Sequence, residues 1–211
     1  MKVLGIILTL IFIFISISFA EQTKKPDFSK LPKYEYLLKR LKKGDMEINY
    51  FDFRMSFTKT RDYKPLNPAL DSLRKKMIQN LNSKEYKNAV TLADSILKQE
   101  FVDMYAHYTC YYAFSALGDS VNAYYHEFIM DRLLNSIVES GDGKSKESAF
   151  LIINSNEEYF FIFIYKLKVI EKTFTNNNGE PIDVFKAVDP ETKDSIELFF
   201  NTSLLIKQQV K

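Results

Sequence analysis

A Gly-Lys-Ser tripeptide lies in the stretch ESGDGKSKESAF, residues 139–150, and is similar to the end of a phosphate-binding loop. Such a loop has four residues between its two glycines, follows a strand and opens a helix. Val138 stands where the first glycine would be, and the expected order here is helix first and strand second. We therefore interpret the stretch as a structural junction. Gly141 is expected to take the left-handed conformation that ends a helix, and Asp142-Gly143 to complete a reversal.

The two histidines and the single cysteine offer a second possible chemistry. His107 lies three residues before Cys110, which allows a thiol nucleophile beside a base, but a cysteine in a packed helix more often acts as a small apolar residue. His126 belongs to no His-Glu-x-x-His motif, and a metal site would need it to meet His107 and Asp131. No spacing indicates that meeting. We assign no catalytic residue, no metal site and no cofactor.

Three carboxylates form the remaining candidate cluster. Asp142, Glu157 and Glu158 could serve acid catalysis or hold calcium. Two adjacent glutamates more often mark a solvated turn between strands, and we expect that arrangement here.

The strongest indication of binding is a row of tyrosines. Tyr105, Tyr108 and Tyr112 recur at helical spacing, and Arg74 and Ile78 hold the matching face of an earlier helix. Tyrosine combines a rigid apolar ring with a hydrogen-bonding tip, which suits peptide recognition. The alternative is that the row simply supports the β sheet or the N-terminal helix.

The helices that carry these tyrosines show an internal repeat. Asn88-Ala89 and Asn122-Ala123 match at the 34-residue period of a tetratricopeptide repeat, which gives units 70–103 and 104–137 with Gly118 at a tight turn. The usual signature residues are missing, because His107 and Cys110 stand where an aromatic residue and a leucine are typical. Two such units leave their ends uncovered, so another part of the chain must pack on them.

The C-terminal third is the expected cover. Segments 149–153, 159–173, 182–188 and 195–201 are rich in β-branched and aromatic residues and predict strands. Short connections, one of them the hairpin turn Asn178-Gly179, predict an antiparallel meander. Segment 159–165 is apolar at every position, which predicts a central strand covered on both faces. Segment 195–201 is expected to form an exposed edge.

The N-terminus predicts the compartment. Met1-Lys2, an apolar run and Ser18-Phe19-Ala20 have the pattern of a signal peptide cleaved after residue 20, with a retained membrane anchor as the alternative. We expect an exported protein, periplasmic or secreted, without a stable membrane span. Asp27 is expected to cap a helix that runs to about Lys43, with Gly44 ending it.

Composition limits the possible partners. The 211 residues include 29 Lys and Arg against 27 Asp and Glu, so no strong positive field favours nucleic acid. The 18 Phe and 13 Tyr exclude a disordered chain.

The block Gly141-Asp142-Gly143-Lys144-Ser145, then Ala149-Phe150 and Glu157-Glu158-Tyr159, resembles a family of exported bacterial proteins built on a domain of unknown function. The layout is also similar: a signal peptide, repeat-like helices and a small β region. The resemblance implies export and this architecture, but no reaction.

Together these patterns predict an α+β protein with a signal peptide at 1–20, a helical region at 21–140 and an antiparallel β region at 141–211. Our first functional hypothesis is a non-enzymatic envelope protein that binds a peptide or protein segment through Arg74, Tyr105, Tyr108 and Tyr112. The alternatives are a hydrolase acting on envelope material, and a structural module that assembles through the edge strand at 195–201.

Overall fold

The structure is a computed structural model that describes residues 28–206. The expected signal peptide and the capping role of Asp27 lie outside these residues. Within residues 28–206, a 3-10 turn at Phe28–Lys30 precedes eight α-helices and four strands. In chain order these are α1 (Tyr34–Lys42), α2 (Tyr50–Phe57), α3 (Pro68–Asn82), α4 (Tyr86–Leu97), α5 (Met104–Leu117), α6 (Ser120–Val138), β1 (Phe150–Leu151), α7 (Ser155–Ile164), β2 (Lys168–Asn177), β3 (Glu180–Val188), β4 (Ser195–Asn201) and α8 (Ser203–Ile206). The α+β prediction is confirmed.

The first helix is shorter than its sequence pattern suggested. α1 begins at Tyr34 without a side-chain cap, and Gly44 follows it with a φ of 86°. α2 occupies a segment whose pattern was ambiguous, and the Asn49 side chain accepts the Asp52 N–H at its start. Phe53 and Phe57 from α2 are buried against Tyr34 of α1.

Helices α3 to α6 form two consecutive hairpins, α3 with α4 and α5 with α6. α3 packs on α4, α4 on α5 and α5 on α6, while α2 lies against α6. Lys84 and Gly118 follow α3 and α5 at positions 34 residues apart, and both have positive φ angles. The same turn conformation therefore recurs at the repeat period, although only the second unit uses glycine there.

The strand predicted over 159–173 is wrong for its first half. α7 covers residues 155–164, and β2 begins only at Lys168. The Asn154 side chain accepts the Glu157 N–H, and Glu157 Oε2 accepts the Ile153 N–H. The two side chains thus bond reciprocally to backbone N–H groups at the start of α7, in the manner of a capping box. An apolar run that is buried on every side fits a helix as well as a strand.

The four strands form one mixed sheet in the order β1-β4-β3-β2. β2, β3 and β4 are antiparallel neighbours, as expected, and the Asn178-Gly179 turn between β2 and β3 has positive φ at both residues. β1 departs from the meander because it pairs parallel to β4, Phe150 opposite Phe200. α7 covers one face of the sheet, where Phe161 packs on Phe150 and Phe200.

The prediction of an exposed edge at 195–201 is also wrong. β4 lies inside the sheet, between β3 and β1. Beyond the short β1, the Phe199 N–H donates to the Gly143 carbonyl, so the loop after α6 extends the cover of this strand. Among the described residues, β2 pairs only with β3 and forms the open edge.

Candidate binding surface on α5 and α7

Four aromatic side chains, all at least partly exposed, lie together where α5 meets α7. Tyr108 of α5 lies 6.2 Å from the Tyr112 ring and 5.1 Å from the Phe163 ring, measured between centroids. Tyr159 stands one turn before Phe163 on the same side of α7. Tyr112, Tyr159 and Phe163 are 50, 47 and 44% exposed. We call Tyr108, Tyr112, Tyr159 and Phe163 the aromatic surface.

The predicted ligand residue Tyr105 anchors this surface from below. Its ring meets Phe160 edge-on at 5.0 Å and lies 5.9 Å from Phe163. Burial raises the pKa of Tyr105 to about 12, so the phenol stays neutral. The tyrosine row of α5 therefore supports α7, rather than the sheet or the N-terminal helix, and its outer members remain open to solvent.

Arg74, the fourth predicted ligand residue, lies in a buried ion-pair network. Its Nη2 donates to Glu100 Oε2 at 2.8 Å, its Nε to Asp103 Oδ2, and its Nη1 to Asp71 Oδ1. Asp103 also caps α5 by accepting the Ala106 N–H. The guanidinium is thus committed to joining α3 to the start of α5, and it offers no free donor face to a ligand.

A small cavity of about 10 Å³ adjoins this network, enough for one water molecule. Glu100, Asp103, Asn154 and Glu157 are among the residues that line it. Asn154 donates to Glu100 Oε1 at 2.8 Å, and burial raises the pKa of Glu100 to about 8. The cavity is too small for a substrate.

Glu157 is buried, not part of a solvated turn. Its Oε1 lies 3.0 Å from Arg54 Nε, an ion pair in which neither of these two atoms makes a hydrogen bond. Arg54 is fully buried, and it donates to Ser136 Oγ at 2.7 Å and to the Leu151 carbonyl. Arg54 thereby connects α2, α6, β1 and α7, a role that no sequence motif indicated.

Glu158 is buried as well. Lys172 Nζ lies 2.9 Å from Glu158 Oε2 and 2.6 Å from Asp183 Oδ2. Burial raises the pKa of Glu158 to about 8, while the two acidic partners raise the pKa of Lys172. The lysine ammonium also lies over Tyr159 and Phe185, so this trio fastens β2 and β3 under α7.

The two histidines do meet, contrary to the sequence interpretation. His107 Nδ1 lies 2.9 Å from His126 Nδ1, and His107 Nε2 lies 2.9 Å from the Phe101 carbonyl. A carbonyl only accepts, so His107 carries its proton on Nε2 and accepts the His126 Nδ1–H. Burial lowers the pKa of His107 to about 4 and that of His126 to about 3. Both rings are neutral at pH 7.

This pair should make the fold sensitive to acid. An unfolded histidine titrates near 6.5, so between pH 6.5 and about 4 the unfolded chain binds more protons and stability falls as pH falls. His126→Asn retains a donor that cannot be protonated. We expect the free energy of unfolding of His126→Asn to fall less than that of the wild type when the pH drops from 7 to 4.5, so that the difference between the two proteins shifts in favour of the variant. Urea unfolding at both pH values measures the shift, and an unchanged difference would contradict a neutral buried pair.

The groups named for a hydrolase lie in separate environments. Cys110 is fully buried, and burial raises its pKa, which disfavours the thiolate. Asp142 accepts the Ser148 hydroxyl and the Lys144 N–H on a surface loop. Glu157 and Glu158 each have the cationic partner described above. Within residues 28–206, no group of three or more His, Cys, Asp or Glu side chains is arranged to hold a metal ion.

The junction uses its two glycines differently from the expectation. Gly141 does not adopt a positive φ, whereas Gly143 has a φ of 66°. A Cβ on Gly141 would lie 2.3 Å from the Ser148 carbonyl oxygen, so this position requires glycine for close backbone approach. The α6 helix ends earlier, with Glu139 as its right-handed C-cap.

A shallow groove of about 300 Å³ lies between α5 and α6 near Gly118. Tyr111, Tyr124 and Glu127 line it, and Tyr124 is largely exposed. The lining residues lie on α5, on α6 and in the turn between them, and none of them belongs to the aromatic surface, so the groove provides a comparison surface for binding experiments.

None of the helices in the described part of the chain is long and apolar enough to cross a membrane.

Comparison with known proteins adds a family but no activity. No curated protein and no solved structure matches the chain. The model of the family described as Domain of unknown function (DUF4919) matches residues 25–211, which include every helix and strand described above. The chain belongs to the DUF4919 family.

Proposed function

We propose that this protein is a non-enzymatic binding protein that recognises a peptide or protein segment through the aromatic surface on α5 and α7, and that it acts after export to the cell envelope. The observation that carries the proposal is that Tyr112, Tyr108 and Phe163 lie side by side across two helices, with Tyr159 one turn before Phe163 on α7. Three of these four rings are about half exposed.

The rings of the aromatic surface rest on other aromatic side chains, and this rigid packing favours a role in recognition. Tyr105 and Phe160 pack edge-on beneath the surface, and Tyr159 meets Phe185 of the sheet edge-on at 5.8 Å. Aromatic anchors held in place lose little conformational entropy on binding, and they often dominate the energy of protein interfaces. Exposed apolar patches on soluble domains commonly mark such interfaces.

The surroundings favour a peptide over a small reactive substrate. The cavity beside the buried carboxylates Glu100, Asp103 and Glu157 has room for one water, whereas the aromatic surface is open to solvent. Among the described residues, Cys110, Glu157 and Glu158 are buried and Asp142 lies on a surface loop, so these hydrolase candidates share no open site. The tetratricopeptide-like character of α3 to α6 belongs to the same proposal, because paired-helix repeats commonly present a helix face to a peptide.

The test is selection of binders from a displayed random peptide library with the purified protein, followed by affinity measurement on individual peptides. Tyr112→Ala/Tyr159→Ala removes two half-exposed rings and leaves Tyr105 and Phe160 in place. We expect the affinity for the selected peptides to fall about tenfold or more. Loss of about 1.4 kcal/mol of binding energy gives a tenfold change, and the removal of two aromatic contact residues commonly costs at least that much.

Two control variants make the result specific. Tyr36→Ala removes a comparably exposed ring from α1, and Tyr124→Ala removes one from the α5–α6 groove. Both are expected to bind like the wild type. Loss of binding in Tyr124→Ala alone would place recognition in the groove, and failure to select any peptide would contradict the proposal. Circular dichroism checks that each variant is folded.

A further inference from the structure

The open edge of the sheet has a self-complementary pattern. β2 pairs with β3 along one side and with no other described strand. A register shift between Val169 and Glu171 makes Ile170 a bulge, so the regular part of the strand is residues 171–177. Phe174 lies at the centre of that part and is 80% exposed.

The usual protection of an edge strand is incomplete here. Natural edges are blunted by bulges, prolines and outward lysines. The bulge at Ile170 protects only the beginning of β2, and residues 171–177 contain no proline. Lys172 is turned onto the sheet face, where it contacts Glu158 and Asp183, and so does not guard the edge.

From this geometry we propose that two copies of the chain pair their β2 edges antiparallel, with Phe174 on the two-fold axis, and join their sheets into one. In this register Phe174 faces its own copy, Thr173 faces Thr175, and Lys172 faces Asn176. Aromatic and threonine pairs across strands are favourable, and no like charges stand directly opposite. Registers centred on Lys172 or Glu171 would instead place like charges together.

The inference goes beyond peptide binding and uses a different surface. Pairing along β2 satisfies its outward backbone N–H and C=O groups, which an extended polypeptide does better than any other partner. It buries Phe174 without requiring Tyr112 or Tyr108 of α5. Tyr108 and Tyr112 of the aromatic surface therefore stay open in each copy, and the dimer presents two such pairs.

Cysteine cross-linking tests both the association and its register. The only native cysteine, Cys110, is buried, so it does not interfere. Phe174→Cys is expected to form an intermolecular disulfide under mild oxidation, because residues facing each other across antiparallel strands have Cβ atoms close enough to bridge. Thr175→Cys alone should cross-link poorly, whereas a mixture of Thr173→Cys and Thr175→Cys proteins should cross-link well. Equal yields at all positions would overturn the register.

Sedimentation of the unmodified protein tests the dimer itself. The wild type is expected to dimerise with rising concentration, and Phe174→Asp to remain monomeric. Val121→Asp is the matched control, since Val121 is similarly exposed on α6. A wild type that stays monomeric at the highest soluble concentration, or a Val121→Asp protein that loses the dimer as readily, would overturn the proposal.

Discussion

Replacing Arg54 with methionine is expected to lower the free energy of unfolding by about 3–5 kcal/mol, the usual cost of removing one partner from a buried ion pair. Arg54 is fully buried, and its loss leaves Glu157 without its cation and leaves the Leu151 carbonyl and Ser136 without this donor. Methionine fills similar volume, so the loss should come mainly from electrostatics. Urea unfolding at pH 7 measures it.

Two further variants test whether the loss of stability in Arg54→Met comes from the unpaired Glu157 carboxylate. Arg54→Met/Glu157→Gln removes both charges and keeps an acceptor for the Ile153 N–H, so it should recover more than about 1 kcal/mol relative to Arg54→Met. Arg132→Met, a solvent-exposed arginine on α6, should cost well under about 1 kcal/mol. If the double variant is no more stable than Arg54→Met, the stranded carboxylate is not the source of the loss.

Gly143→Ala should cost about 2–5 kcal/mol for two additive reasons. Its φ of 66° is unfavourable for a residue with a Cβ, by about 1–2 kcal/mol. That Cβ would lie 2.1 Å from the Phe150 ring, and forcing a buried ring aside typically costs about 1–3 kcal/mol. Thermal and urea unfolding give the total loss.

Gly44→Ala provides the matched comparison. Gly44 also has a positive φ, 86°, but nothing lies within 4 Å of a Cβ placed there. Gly44→Ala should therefore lose only about 1–2 kcal/mol, which is the cost of a Cβ at a positive φ. Phe150→Leu should partly relieve Gly143→Ala by making room for the methyl group. Equal losses at Gly44 and Gly143 would show that the ring contact does not matter.

The sequence predicted correctly those helices and strands that have a clear apolar periodicity, a helix cap or a recognisable turn beside them. α3 and α4 have apolar residues on one side, and α3, α5 and α6 each begin at a side-chain cap. β3 and β4 follow turn residues with positive φ angles. α7 was missed because its residues are apolar in every direction, which removes the periodicity that separates helix from strand. The start signal was present in Asn154 and Glu157.

The candidate site was only partly predictable for a related reason. Tyr105, Tyr108 and Tyr112 share one helix, so their common face follows from spacing. Phe163 and Tyr159 join them only through the packing of α7, which sequence spacing does not encode. In the same way Arg54 meets Glu157 across more than a hundred residues. A lone arginine within the apolar stretch YFDFRMSF was the one available hint.

The position of β4 has a consequence for how the chain acquires its structure during synthesis. β4 emerges after the other three strands, yet it occupies an interior place between β3 and β1. Until residue 201 is available, β1 has no strand to join and the inner side of β3 is open. The β2–β3 hairpin can form alone and early, but the sheet closes late, across a separation of about fifty residues between Phe150 and Phe200. A nascent chain stalled before β4 would therefore display two unpaired β3 and β1 edges, the type of surface on which chaperones act.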